Sequence, residues 1–282
     1  MIDVSISWDG ARALGAVYLI QFVGFTVLAW FARGREALDW SPELVRSARV
    51  NWAFIAFNAL AAPLALLMIG WAEAAYSVLP VPSIPQSAWD GLPMIVPALI
   101  AVVAIDFVDY WSHRIRHAPL FWPIHAVHHS DTQLHYLSWY RGHILEHVFA
   151  QAVYIFAASW LGADATAIVA IVMLKALHQQ YVHMDIDWTH GRLGWLIASP
   201  RFHRWHHADH PEAYGKNLAF IMPLWDRLFG TYYCPGPCRE PLGFPGSPGD
   251  NFLGLMVFPF LEWGRMARRA VSNPRTPADT GA

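Results

Sequence analysis

Fifteen histidines occur in the 282 residues, and eight of them fall into three short clusters. These read His113-x3-His117, His125-x2-His128-His129 and His203-x2-His206-His207. Residues three and four apart on a helix lie on one face, so each cluster aims two or three imidazoles in one direction. Imidazole is the commonest transition-metal ligand. A structural zinc site closes at four ligands, so eight suit two ions better than one. Nitrogen ligation fits zinc, copper, iron or nickel, and affinity order alone does not choose among them. Two ions with open positions suit redox or Lewis-acid work.

The neighbours of the clusters refine this. Asp106 and Asp109 precede His113 and His117 at helical steps. A carboxylate one turn before a ligand histidine can accept its N–H and raise its basicity. Asp109 is expected to do this for His113, with Asp106 behind it; the competing reading pairs Asp109 with Arg114 or Arg116. Pro119 and Pro123 break the helix, so the second cluster starts a new one at an angle. Ser199 and Pro200 form a helix start ahead of His203. His183, before Met184-Asp185, is the expected ninth ligand. His143, His147 and His178 are weaker candidates, with Glu146 beside the first two. His135, His190 and His210 read as surface or interface residues. Cys234 and Cys238 read as a loop pair without a role.

The elements that must position these groups look like membrane helices. Apolar residues make up 55% and charged residues 14% of the chain, against roughly 25% charged in soluble domains. Leu14 to Phe31 and Val50 to Ala72 are charge-free and long enough to span, and Leu92 to Trp111 gives a third span with acids near its end. Pro63 is tolerable in such a helix. Val148 to Gly162 and Ala165 to Leu177 are shorter and are expected to form a helical hairpin that crosses with tilt or enters partway. The fold class is therefore an all-α integral membrane protein: about three full spans, a shorter hairpin, and a cap of histidine-bearing helices. The N-terminus has acids and no base before the first span, so that span is expected to be retained rather than cleaved as a signal peptide.

Arg33, Arg35, Arg46 and Arg49 follow the first span, whereas Glu73 to Gly91 has no lysine or arginine. The positive-inside rule makes the first loop cytoplasmic. All fifteen histidines then fall on the cytoplasmic side. Net charge is −2, and no nucleic-acid footprint is visible. Phe252 to Trp263, followed by Arg265, Arg268 and Arg269, reads as an interfacial or a packing helix. The tail after Ser272 reads as disordered. The chain divides into membrane spans at 1–91, a catalytic domain at 92–235, and an interfacial segment and tail at 236–282.

These motifs resemble the fatty acid hydroxylase / sterol desaturase superfamily of membrane oxygenases. The likeness rests on the three histidine clusters, Ser199-Pro-Arg-Phe-His203, and Asn217 followed by Leu224-Trp-Asp-Arg-Leu-Phe-Gly-Thr231. His183-Met-Asp185 is similar to the family's intervening element, with aspartate where glutamate or asparagine is usual. The resemblance implies two iron ions, replaceable by zinc in purified protein, with O2 as co-substrate and a membrane lipid (fatty acyl, sterol or carotenoid type) as substrate. Hydroxylation, desaturation and demethylation begin with the same hydrogen abstraction. Electrons are expected from a separate ferredoxin or cytochrome with its reductase, since neither a haem-binding H-P-G-G nor a G-x-G-x-x-G motif is present. Arg114, Arg116, Arg141, Arg201 and Arg204 are candidates for docking that donor. The residues themselves also admit a dizinc membrane lipid hydrolase or lyase, or a non-catalytic metal scaffold.

Overall fold

The computed structural model describes residues 8–79, 82–162 and 165–272. The tail after Ser272 lies outside them. The chain is an all-α membrane protein. Among the described residues, the stretches Gly15–Leu38, Ile95–Arg116 and Ile144–Leu161 are long and apolar enough to cross a membrane.

These stretches fall largely in α1 (Trp8–Arg33), α3 (Ile95–Arg116) and α5 (Ile144–Leu161), and the long helices α2 (Pro42–Val78) and α6 (Ala165–Val182) accompany them. The short helices α4 (Trp122–His129), α7 (Pro200–His206) and α8 (Leu224–Leu228) and the longer α9 (Phe252–Ser272) complete the fold. Ser41 caps α2, its hydroxyl accepting from the Leu44 amide, and Pro42 occupies the first turn. The expected span Val50–Ala72 forms the middle of α2, which continues through Pro63. Leu19, Ile20, Leu60, Trp71, Leu99 and Trp160 stand exposed on the outside of the bundle, as lipid-facing residues do.

The hairpin is longer than the hydropathy pattern suggests. Helices α5 and α6 have 18 residues each, about 27 Å at the standard rise. Its tip is fixed beside the segment that leads into α3. The Ile84 amide donates to the Trp160 carbonyl at 2.8 Å, and Trp89 Nε1 donates to the Leu161 carbonyl at 3.1 Å. Gly162 ends α5 at φ +56°, where an added Cβ would lie 2.2 Å from the Ile84 carbonyl oxygen. The hairpin therefore runs the depth of α3. Its extra length includes Glu146, Gln179 and Gln180, which are polar but buried against protein. Hydropathy breaks at these residues; the helices do not.

A buried polar network anchors the cap to α2. The fully buried Arg141 donates to Asn51 Oδ1 (2.6 Å), to Ser47 and to Asp250 Oδ1 (3.0 Å). Asp131, just after α4, accepts from Ser47 (2.6 Å) and Ser138 (2.7 Å). His135 belongs here: it is buried and bonded to Asn51, not on the surface. Helix α9 packs Leu255 against Val50, Phe54 and Val127, while Leu253, Val257, Phe260 and Leu261 remain exposed. It thus packs on one face and leaves an apolar face outward.

Candidate metal centre

Nine imidazoles converge at the ends of α3, α4, α6 and α7. They form two groups. His113, His117, His125, His129 and His206 make one; His128, His183, His203 and His207 make the other, and the nitrogens of each lie within 4.8 Å of one another. The groups touch, with the rings of His129 and His207 stacked at 4.4 Å.

Helix geometry explains the division. Side chains four residues apart differ by about 40° around the axis, and those three apart by about 60° the other way. Accordingly His113/His117, His125/His129 and His203/His207 each stay together. The odd members cross over. His128 joins the pair from α7, and His206 joins the pairs from α3 and α4.

Backbone carbonyls set the ring orientations. Nδ1 of His113 donates to Leu218 O (2.7 Å), that of His183 to Gln179 O (2.6 Å), that of His206 to Lys216 O (2.8 Å) and that of His128 to Arg141 O (3.3 Å). Nδ1 of His125 faces Glu146 Oε1 at 2.7 Å, and the same oxygen accepts from Arg116. A neutral imidazole has one N–H. With that proton on Nδ1, Nε2 carries a bare lone pair. Yet Nε2 of His113 lies 3.0 Å from Nε2 of His125, and Nε2 of His128 lies 3.1 Å from Nε2 of His183. Two lone pairs so placed repel unless a cation lies between them. Adjacent ligands about 2.1 Å from one ion stand about 3 Å apart. Nε2 of His117 and of His206 are also buried without partners. The residues present therefore fit two metal ions.

Protonation is a poor substitute for metal here. Burial, reinforced by neighbouring positive charge, holds His117, His125, His129, His203 and His207 well below the ordinary imidazole value. Burial likewise takes His128 and His183 down to about 3 and His206 to about 4. All stay neutral near pH 7, the form that binds metal.

The remaining candidates stand elsewhere. Asp109, expected to accept from His113, accepts from Tyr154 (2.6 Å) and pairs with Lys175 (2.6 Å); the Leu218 carbonyl has taken its place. Asp106 accepts from the amides of Ile221 (2.9 Å) and Met222 (3.0 Å) and from Trp225 Nε1 (2.9 Å). It works behind the ligands through the backbone. Asp226 does the same, accepting from the amides of Leu218 and Ala219 and from Thr231. Between them these acids hold the segment whose carbonyls receive His113 and His206. Asn217 holds the left-handed turn there (φ +55°), its amide bonded to Phe202 O and Tyr233 O.

His143 bonds to Met256 O, His147 to Asn58 and His178 to Ala198 O; none joins either group. His190 lies against Tyr181 and His210 near Glu240. Asp185 bridges Arg33 and Arg204. Cys234 and Cys238 are unbridged. Arg116 and Arg141 are buried, which removes them from any docking surface. Sequence reasoning missed the role of Glu146. Its signal was an isolated acid opening an apolar helix beside His147.

Two cavities reach the centre. One, of about 110 Å³, lies toward the hairpin and touches His113 and His125 of the first group and His128 and His203 of the second. The other, of about 410 Å³, touches His117, His129 and His206 only, beside Trp122, Tyr214 and Phe244.

An all-α membrane bundle capped by nine converging imidazoles is an arrangement able to hold metal. Residues 98–231, which hold the three clusters, match the fatty acid hydroxylase family model, in keeping with the resemblance that the motifs carry. The chain is 31% identical over 182 residues to an ornithine lipid hydroxylase of Rhizobium tropici, a match covering 62% of this chain and 54% of that protein. It is 28% identical over 134 residues to an alkylglycerol monooxygenase of Xenopus tropicalis, covering 47% and 30%. A very-long-chain aldehyde decarbonylase of Oryza sativa subsp. indica is 23% identical over 160 residues, covering 51% and 24%. The chain thus matches about half the length of the first relative and less than a third of the other two. No solved structure matches.

Proposed function

We propose that this chain is a membrane di-iron oxygenase that hydroxylates or desaturates a lipid with O2, using electrons from a separate ferredoxin or cytochrome. The observation that carries the reading is the facing of bare Nε2 atoms, His113 to His125 at 3.0 Å and His128 to His183 at 3.1 Å, in two adjoining groups. His113, His117, His125, His129 and His206 would hold one ion, and His128, His183, His203 and His207 the other. When bound, a redox-active pair supplies the electron sharing that O2 reduction and C–H oxidation need. The names of the relatives, a lipid hydroxylase and a monooxygenase, support the same class.

The protein's own part is positioning and exclusion. Four carbonyls and Glu146 lock the rings, so their free nitrogens point inward without reorganisation. Trp139 and Phe220 wall the smaller cavity and limit water beside the centre. Ala150, Val172 and Ala176 open that cavity toward α5 and α6, giving a lipid an approach from the bilayer. The arginine-rich loop between α1 and α2 supports a cytoplasmic histidine cap, with the donor on that side. Division at 92 and 235 assigns the catalytic part to the segment holding every ligand.

The test is turnover of purified, iron-loaded protein with reductant and 18O2. Incorporation of label, or loss of two hydrogens that requires O2, supports the proposal. Equal turnover without O2 and reductant overturns it and favours a hydrolase or lyase.

A further inference from the structure

The cavity between the histidines and the hairpin has charge in its wall. Lys175 Nζ lies 2.6 Å from Asp109, and both residues are buried. A buried ion pair is a poor source of stability, because desolvation offsets its attraction unless every donor and acceptor is satisfied. This pair is not satisfied. An ammonium has three N–H donors. Among the described residues its charge partner is Asp109, whose Oδ2 has no aligned hydrogen bond, and the ring faces of Tyr154 (4.3 Å) and Phe220 (4.0 Å) lie beside it. Glu146 shows the complementary deficit. Its Oε1 accepts from both His125 and Arg116, while its Oε2 is buried with no partner. Lys175 and Glu146 line the same cavity, together with four of the metal-site histidines.

A spare donor and a spare acceptor in one small cavity specify an occupant. A bare hydrocarbon there would leave both groups dry and unpaired. An ester would satisfy the donor only. A secondary amide or a hydroxyl both accepts and donates. We propose that the cavity selects a lipid carrying such a group, with Lys175 donating to its oxygen and Glu146 accepting its N–H or O–H. The carbons adjoining that group then rest against His113, His125, His128 and His203, and the chain leaves past Ala150, Val172 and Ala176. This assigns Lys175 as a specificity-determining residue and rests on the lipid-oxidising reading above.

Binding of four probes to the full chain in nanodiscs, without metal loading, tests the assignment. N-methylpalmitamide and hexadecanol are expected to bind at least about ten-fold more tightly than methyl palmitate or hexadecane. Lys175→Met combined with Asp109→Asn removes the pair without stranding a charge, and should shrink the preference for the amide and the alcohol, leaving only the part that Glu146 supplies. Hexadecane binding as tightly as the amide to the unaltered chain overturns the proposal, whatever the variant does. So does a folded double variant that keeps the preference undiminished. The oxygenase reading fails separately: the probe order persists, but the iron-loaded chain with O2 and reductant oxidises none of the four.

Discussion

Nε2 of His113 and Nε2 of His125 face each other at 3.0 Å, each ring having turned its other nitrogen to an oxygen acceptor. One ring comes from the end of a membrane helix and the other from α4, twelve residues on. In the proposed site, an ion between them would serve the fold as well as the chemistry.

Metal content should therefore follow the two groups rather than the three sequence clusters. The intact chain is expected to carry two ions. His128→Ala should lower the content toward one, because it disturbs the group of four and leaves the group of five intact. His206→Ala, from a different cluster, should deplete the other group. Lipid oxidation should fall at least about a hundredfold in both. Elemental analysis beside turnover reads this, and identical loss of both ions in either variant would contradict two separable sites.

Glu146→Gln should weaken both metal binding and folding. It removes the anion that faces His125, an effect of roughly 10–100-fold on affinity for such outer partners. It also leaves the buried Arg116 without its counter-ion, which typically costs about 3–5 kcal/mol. Metal titration and thermal unfolding measure the two effects independently.

The metal-free protein should lose stability as pH falls. An unfolded histidine titrates near about 6.5, whereas His128 and His183 are held down to about 3 and His206 to about 4 by burial. Below the unfolded value the unfolded chain binds more protons, so stability rises with pH. The contribution is complete above about 6.5 and is lost progressively down to the folded values of about 3 and 4. Thermal unfolding of chelated protein at pH 8, 6.5 and 5 should give Tm values in that descending order.

Gly162→Ala should destabilise the hairpin tip by more than about 1 kcal/mol, since φ is positive there and the Ile84 carbonyl oxygen is 2.2 Å from the new Cβ. The metal groups lie at the other ends of α5 and α6, so ion content should be unchanged in protein that remains folded. A Tm equal to that of the unaltered chain would show that the tip packs differently.

Much of this architecture is legible in one sequence because its signals are local. Helical spacing of histidines needs only the pitch of a helix, and the start of α7 at Ser199-Pro200 needs only capping chemistry. The same local reading shortened the hairpin, because Glu146, Gln179 and Gln180 look like solvent-facing residues when their partners lie elsewhere in the chain. It also gave Asp109 to His113. Both lie on one helix, but the Leu218 carbonyl, 105 residues away, reaches the imidazole instead.

By itself, then, the sequence determined that the chain is a helical membrane protein with histidines grouped as metal ligands are, each cluster expected to act together. Only the tertiary structure decided that His128 joins the α7 pair while His206 crosses to the pairs of α3 and α4. It also decided which nitrogen of each ring is free, because that choice belongs to carbonyls and a carboxylate brought in from other helices. Ligand type is a property of side chains. Ligand direction depends on hydrogen bonds between segments, and those exist only once the bundle has packed.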